Sequence, residues 1–364
     1  MNKPLRIAAV LIPSAAFLVT AAALVVTVSR RNRTIDSLRT MIEVQNGEPA
    51  ETEPYFEPVN VDHHYPLSGY KILLSDDTYG EIWIPVLEDV PLSTHPLDLL
   101  KEQEDGRMQS YNDKGQYNAL TGIDISAHNK VTDWNKVKAD GIDFVMLRAG
   151  YRTYGKGVLN KDEKFREYFN GAKEAGLMVG AYFFSQAVTE EEAVEEAQLT
   201  AEQLYGLELD FPVAYDWEII YDEGETARTD CVPCDVLTDC TIAFCENMKA
   251  WGWQPMIYQN KRTSLFKLDL PRLQNYPFWL AEYNDGPTFI YDYDMWQYSC
   301  TGTVDGIVGA VDMNLCFYDY SKENAPAIAI DAPDMPETTD TTDTTDTTDT
   351  TETTSDTTET TTTE

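Results

Sequence analysis

Phe211-Pro212-Val213-Ala214-Tyr215-Asp216-Trp217-Glu218 is an apolar run that ends in two acids. A short apolar run of this kind reads as a buried strand. Side chains two apart on a strand share a face, so Asp216 and Glu218 are expected to look into one space, roughly 7 Å apart along the backbone. Two carboxyls so placed suit the cleavage of a glycosidic bond. One gives a proton, and the other, or a group of the substrate, supports an oxocarbenium-like transition state. An isolated Asp-x-Glu is more often a solvated strand end, so the weight falls on its surroundings.

Outward from this stretch, Thr121 to about Tyr320 alternates apolar strands with amphipathic helices, the pattern of β/α units. Strands are predicted near Gly122–Ser126, Asp143–Arg148, Met178–Phe184, Pro212–Asp216, Pro255–Gln259, Pro277–Glu282, Asp294–Tyr298 and Val308–Asn314. Eight strands are what a barrel needs to close. Helices are predicted over Asp162–Ala175, Thr189–Tyr205 and Asp235–Trp251, the second opening on a Thr189/Glu192 capping box. The later connections are too short or irregular for full helices. The expected fold is therefore α/β: an irregular β/α (TIM-like) barrel with an incomplete helical ring over residues 119–322.

Before the barrel, Ile7 to Val28 carries no charge and is flanked by Lys3 and Arg6 on one side and by Arg30, Arg31 and Arg33 on the other. About 20 such residues span a bilayer as a helix. Ala21-Ala22-Ala23 offers an A-x-A-like cleavage site, so a signal peptide competes with an uncleaved anchor. The run continues past that site to Val28, which favours a transmembrane anchor in residues 1–33. Either fate places the body outside the cytoplasm. Residues 34–64 read as a juxtamembrane helix and linker. Residues 65–118 read as a small β-rich segment, with a hairpin of Tyr70–Leu74 and Glu81–Leu87 around an Asp76–Gly80 turn, expected to pack against the larger domain. Beyond residue 323 the chain becomes prolines and then Thr-Thr-Asp repeats, with no recurring apolar side chain to build a core.

The 364 residues, 43% of them hydrophobic, suffice for a large core. A formal net charge of −35, eleven of the acids lying in the last 34 residues, argues against a nucleic-acid partner. Six cysteines would lie in a compartment that permits disulfides. Cys231-x2-Cys234 is half of a zinc pattern with no second half, so no metal is expected. Cys240 and Cys245 point to different sides of a helix. Pairings of Cys231 with Cys234 or Cys300 with Cys316 stay open beside a set of plain buried thiols.

In a β/α barrel the C-terminal strand ends converge on one face. Taken in order they offer Asp124, Arg148, Phe184 or Ser185, Asp216 with Glu218, Tyr258, Glu282 with Tyr283, Gln297 and Asp312. Acids gathered in one pocket repel, and the least solvated stays protonated as a general acid. Asp124, Asp216, Glu218 and Asp312 are the catalytic candidates. Tyr182, Tyr215, Tyr258, Trp279, Tyr283, Gln297 and Arg148 are the substrate-binding candidates, with Trp217 and Trp296 as further sugar-stacking surfaces.

The runs GIDIS (122–126), FVMLRAGYR (144–152), GAYFFS (180–185), AYDWE (214–218), MIYQN (256–260), FWLAEY (278–283), MWQYSCTGTVDGI (295–307) and VDMN (311–314) together resemble the glycoside hydrolase family 25 lysozymes, Chalaropsis-type muramidases. The resemblance implies an irregular β/α barrel that hydrolyses the β-1,4 bond between N-acetylmuramic acid and N-acetylglucosamine of peptidoglycan, without metal or organic cofactor. It implies Glu218 as proton donor and Asp216 as the group that orients the 2-acetamido group or stabilises developing charge. Asp124 and Asp312 would line the same pocket. A chitinase-like hydrolase is the rival enzyme, but the further aspartate it needs three residues before the pair would fall at Val213. A catalytically silent wall-binding protein is the rival of another class. His128, in the loop after the first strand, reads as a solvent-facing side chain.

Overall fold

The computed structural model describes residues 71–76, 80–220, 227–229 and 231–320. All belong to the second of two compact units, residues 66–364. The anchor or signal stretch, the juxtamembrane helix, the linker and the Thr-rich tail lie outside the described residues. Among the described residues, no helix is long and apolar enough to cross a membrane.

The fold is mixed α/β around a closed, barrel-like sheet of eight strands. These are β1 (Leu120–Ile125), β2 (Phe144–Arg152), β3 (Met178–Ser185), β4 (Val213–Trp217), β5 (Pro255–Asn260), β6 (Phe278–Ala281), β7 (Met295–Gly302) and β8 (Val311–Cys316). Each neighbours the next, and β8 returns to β1. A ninth strand, Leu159–Lys161, pairs antiparallel with the end of β2. The contacts from β1 through β7 are parallel, whereas β8 is antiparallel to both β7 and β1. Chain length explains the reversal: a parallel return needs a crossover of a dozen or more residues, and only residues 303–310 separate β7 from β8. The last strand thus starts at Val311, three residues later than expected, after a turn in which Gly306 and Gly309 take φ of 94° and 89°, values that glycine adopts without strain.

Helices α1 (Trp134–Ala139), α2 (Phe165–Glu174), α3 (Glu190–Leu204), α4 (Cys234–Ala250), α5 (Lys261–Lys267) and α6 (Leu270–Leu273) surround the strands. Thr189 caps α3 by accepting from the Glu192 N–H at 3.3 Å. The Glu192 carboxylate reaches back to the N–H of Val188 at 2.9 Å, one residue beyond the expected box partner Thr189. Helix α2 begins three residues after Asp162, whose carboxylate accepts from Ala127 N, Lys164 N and Arg148 Nε.

Strand alternation divides the core in two. Phe144, Met146, Ala214, Met256, Trp279 and Met295 fill the barrel. Their sequence neighbours Val145, Leu147, Tyr215, Ile257, Leu280 and Trp296 pack outward under the helices. Gly122 makes the interior possible, since a Cβ there would lie 2.1 Å from the Phe144 ring.

Residues 86–118 lie against the barrel. Leu87 N donates to the Tyr291 hydroxyl at 2.9 Å, Arg107 pairs with Asp140, and Val90 and Met108 join the outer core. The six cysteines are free. Cys231, Cys234 and Cys300 are exposed, and Cys240, Cys245 and Cys316 are buried. Neither of the two pairings left open by the sequence is formed.

Candidate active site

The strands deliver their inward side chains to a hollow of about 170 Å³ at the C-terminal end of the parallel strands. At about 30 Å³ per water this is room for about six waters, on the scale of a sugar unit. Asp124 of β1 and Asp312 of β8 are direct cross-strand partners. Asp216 comes from the end of β4 and Glu218 from just beyond it. Arg148, Tyr182, Phe184, Tyr258, Trp279, Tyr283 and Gln297 complete the wall.

Behind the acids lies a directed hydrogen-bond network. Gln297 Nε2 and Asn314 Nδ2 each donate to Asp124 Oδ2 at 2.8 Å. The orientation of both amides is set from the other end. The Tyr258 and Tyr283 hydroxyls donate to Gln297 Oε1 at 2.9 and 2.8 Å, and the Trp279 indole donates to Asn314 Oδ1 at 2.8 Å. Arg148 is held at 2.9 Å by Asp162 and lies over the Tyr151 ring.

All four carboxyls bind protons more tightly than usual. Burial, then the facing Asp312, pushes Asp124 well above the carboxylate range, while Asn314 and Gln297 pull it partly back. Burial and the charge of Glu218 likewise push Asp216 well up. Glu218 is raised by burial, with Asp216 and Tyr258 beside it acting the other way. Asp312 rises to about 6 through burial and Glu218. Asp216 Oδ1 is buried with no hydrogen-bond partner among the described residues.

Ten of the eleven candidate residues therefore line one hollow. The exception is Tyr215. It lies one residue from Asp216 and so faces outward, where its hydroxyl bonds Ser185 Oγ at 2.8 Å and its ring packs on Phe244. Trp217 and Trp296 are also outside, with indole N–H groups on the carbonyls of Ala187 and Glu282. Ser185 turns outward while Phe184 lines the wall. Glu282 anchors a loop, accepting from Thr288 N and Phe289 N at 2.8 and 3.1 Å. Sequence reasoning did not assign Asn314 a place in the site, although it shares the strand parity of Asp312. Among the described residues no group of three or more His, Cys, Asp or Glu is arranged to hold a metal.

The sequence pattern of glycosyl hydrolases family 25 matches residues 123–307, which runs from β1 to the turn before β8 and takes in three of the four acids. The chain belongs to glycosyl hydrolase family 25. Among relatives of the family, the "Autolytic lysozyme" of Clostridium acetobutylicum is 27% identical over 197 residues, covering 54% of this chain and 55% of that one. "Lysozyme M1" of Streptomyces globisporus is 25% identical over 218 residues, covering 54% and 67%. The chain thus spans just over half the length of the clostridial protein. The modular autolysin LytC of Streptococcus pneumoniae, solved with a synthetic peptidoglycan ligand, is 22% identical at a TM-score of 0.49, covering 67% of this chain and 56% of that one.

Proposed function

We propose that this family 25 protein is an N-acetylmuramidase that hydrolyses the β-1,4 bond between N-acetylmuramic acid and N-acetylglucosamine in peptidoglycan. The observation that carries the reading is the convergence of Asp124, Asp216, Glu218 and Asp312, from three separate strands, on one aromatic-walled hollow. Membership of the family supplies the reaction class, and the names of its lysozyme relatives point to the wall polymer.

Glu218 is the general acid. Burial favours its protonated form, as donation to the leaving glycosidic oxygen requires. As the bond from the anomeric carbon to that oxygen breaks, positive charge grows on the sugar, and the remaining carboxyls are placed to stabilise it. Asp216, on the wall of the same hollow as Glu218, is suited to hold the 2-acetamido group so that its oxygen faces the anomeric carbon. Water then completes hydrolysis with Glu218, now ionised, as base. Tyr182, Tyr258, Trp279 and Tyr283 offer flat walls to the sugar rings, and Gln297 and Arg148 offer polar contacts. The apolar stretch Ile7–Val28, whether kept as an anchor or removed as a signal, would deliver the barrel to the wall side of the membrane.

The test is purified peptidoglycan incubated with the wild type and with Glu218→Gln, which keeps the shape and removes the proton. Mass spectrometry of the soluble fragments should show reducing-end muramic acid with the wild type and almost none with the variant. Fragments ending in reducing N-acetylglucosamine, or undiminished release by Glu218→Gln, would overturn the assignment.

A further inference from the structure

Strand β4 leaves the sheet just before its acid is presented. Its last partner on β5 is Tyr258, opposite Asp216, and its last on β3 is Ser185, opposite Trp217. Glu218 is therefore beyond the ladder, where main-chain carbonyls lack strand partners. Two buried carboxamides take over. Gln259 of β5 donates from Nε2 to the Trp217 carbonyl, while its Oε1 accepts from Asn260 N at 2.9 Å. Gln186, one residue past β3 and wholly buried, donates from Nε2 to the carbonyls of Glu218 and Ser185, each at 2.8 Å. Its Oε1 accepts from the hydroxyl of Thr229 at 3.1 Å, and Thr229 is itself buried. With two carbonyls on the nitrogen and a hydroxyl on the oxygen, the amide of Gln186 has one satisfactory orientation.

Resting on the reading of Glu218 as the acid, we propose that Gln186 is a positioning residue for the reaction. It holds the main chain of Glu218 and the hydroxyl of Thr229 on one buried side chain, aiming the Glu218 carboxyl into the hollow. Gln259 fixes the peptide before it. Neither glutamine lines the hollow, so both act through Glu218 and not on the sugar. The need for such a hold is steep, because a misplacement of about 1 Å can cost about a hundredfold in rate.

The experiment compares Gln186→Met, which keeps length and loses both donors, with Thr229→Val and with Thr200→Val. Thr200 is a control, since its buried hydroxyl serves only the Glu196 carbonyl within α3. Rates are measured on purified peptidoglycan at temperatures where circular dichroism shows each variant folded. Wild-type release of muropeptides comes first, and its absence would count against the muramidase reading and not against Gln186. With the wild type active, Gln186→Met should lower kcat about ten- to a hundredfold with KM within about twofold. Its alkaline pH limb should move to lower pH, because a Glu218 carboxyl freed from its buried setting gives up its proton more readily. Thr229→Val should shift kcat and the limb in the same direction by less, and Thr200→Val should leave both in place. Wild-type kcat and an unmoved limb in folded Gln186→Met overturn the proposal. Should Gln186→Met not fold, wild-type kcat in Thr229→Val, which retains every main-chain contact, overturns it equally.

Discussion

Replacing Asn314 by Leu would test the network behind the acids. Asn314 is fully buried, donates to Asp124 Oδ2 at 2.8 Å and accepts from the Trp279 indole at 2.8 Å. Leucine has nearly the same size and makes neither bond. A hydrogen bond to a charged group contributes about 1.5–3 kcal/mol, and the stranded indole N–H costs about 1–3 kcal/mol. The added apolar burial offsets roughly 1 kcal/mol of this. The net loss is then about 1.5–5 kcal/mol, or roughly 3–20 °C in Tm at about 2–4 °C per kcal/mol for a domain of this size. The second effect is electrostatic. Asn314 is one of two donors that pull Asp124 down against burial and Asp312, so its loss raises that carboxyl further. If Asp124 must be ionised to support the transition state, activity appears only as pH rises through its pKa, and the acid limb of kcat/KM moves to higher pH. Differential scanning calorimetry and a pH–rate profile on peptidoglycan read the two effects. A Tm within about 2 °C of wild type with an unmoved acid limb would refute the reasoning.

Stability should also depend on pH in an uncommon direction for carboxyls. Asp124, Asp216 and Asp312 have folded pKa values above their unfolded ones, so the native state binds more protons, and stability present below the ordinary carboxyl range is lost as pH rises toward and past about 6 for Asp312. Thermal melts of Asp312→Asn should show a flatter loss over that window than wild type, and an equal slope would count against the facing-acid geometry. Tyr215→Phe should keep kcat and KM within about twofold while costing about 1 kcal/mol of stability, since the hydroxyl serves only Ser185; a large loss of kcat would mean that Tyr215 reaches the substrate. Glu196→Ala would take from the buried Arg152 the carboxylate that accepts from its Nε at 2.7 Å while Glu195 and Glu192 stay beside it, and urea unfolding should show a loss of about 1–3 kcal/mol.

Much of this architecture is legible in the chain because a strand's alternation is rigid. The run at 211–218 fixes parity for β4: if Asp216 looks into the barrel, Ala214 and Glu218 do too, and Tyr215 and Trp217 cannot. Tyr215 was thus a candidate that the sequence itself could have removed, because residue type outweighed parity in choosing it. The same parity places Phe184 with Tyr182 and Asn314 with Asp312, a signal that could have chosen Phe184 over Ser185 and added Asn314. Strand direction is less accessible. Val311–Cys316 alternates like the parallel strands of the barrel, and only the brevity of residues 303–310 betrays that β8 must fold back as a hairpin.

What local pattern could not disclose is the set of long-range polar partners. Asp162 reads as an ordinary helix start, yet its carboxylate holds Arg148 and the backbone of Ala127. Gln186 reads as a polar residue past a strand end and Gln259 as the last residue of a strand, where exposure is the usual fate. Their burial arises because β4 ends its pairing in the middle of the molecule. An acid presented from the ladder's last rung would be held by the sheet but would have its neighbouring carbonyls already paired and its position tied to the strand axis. Glu218 stands one residue farther out, so the fold must supply side-chain amides in place of strand partners to hold it. The residues nearest the chemistry are visible as acids at strand ends. Those that aim them become visible only once the point where the sheet stops is known.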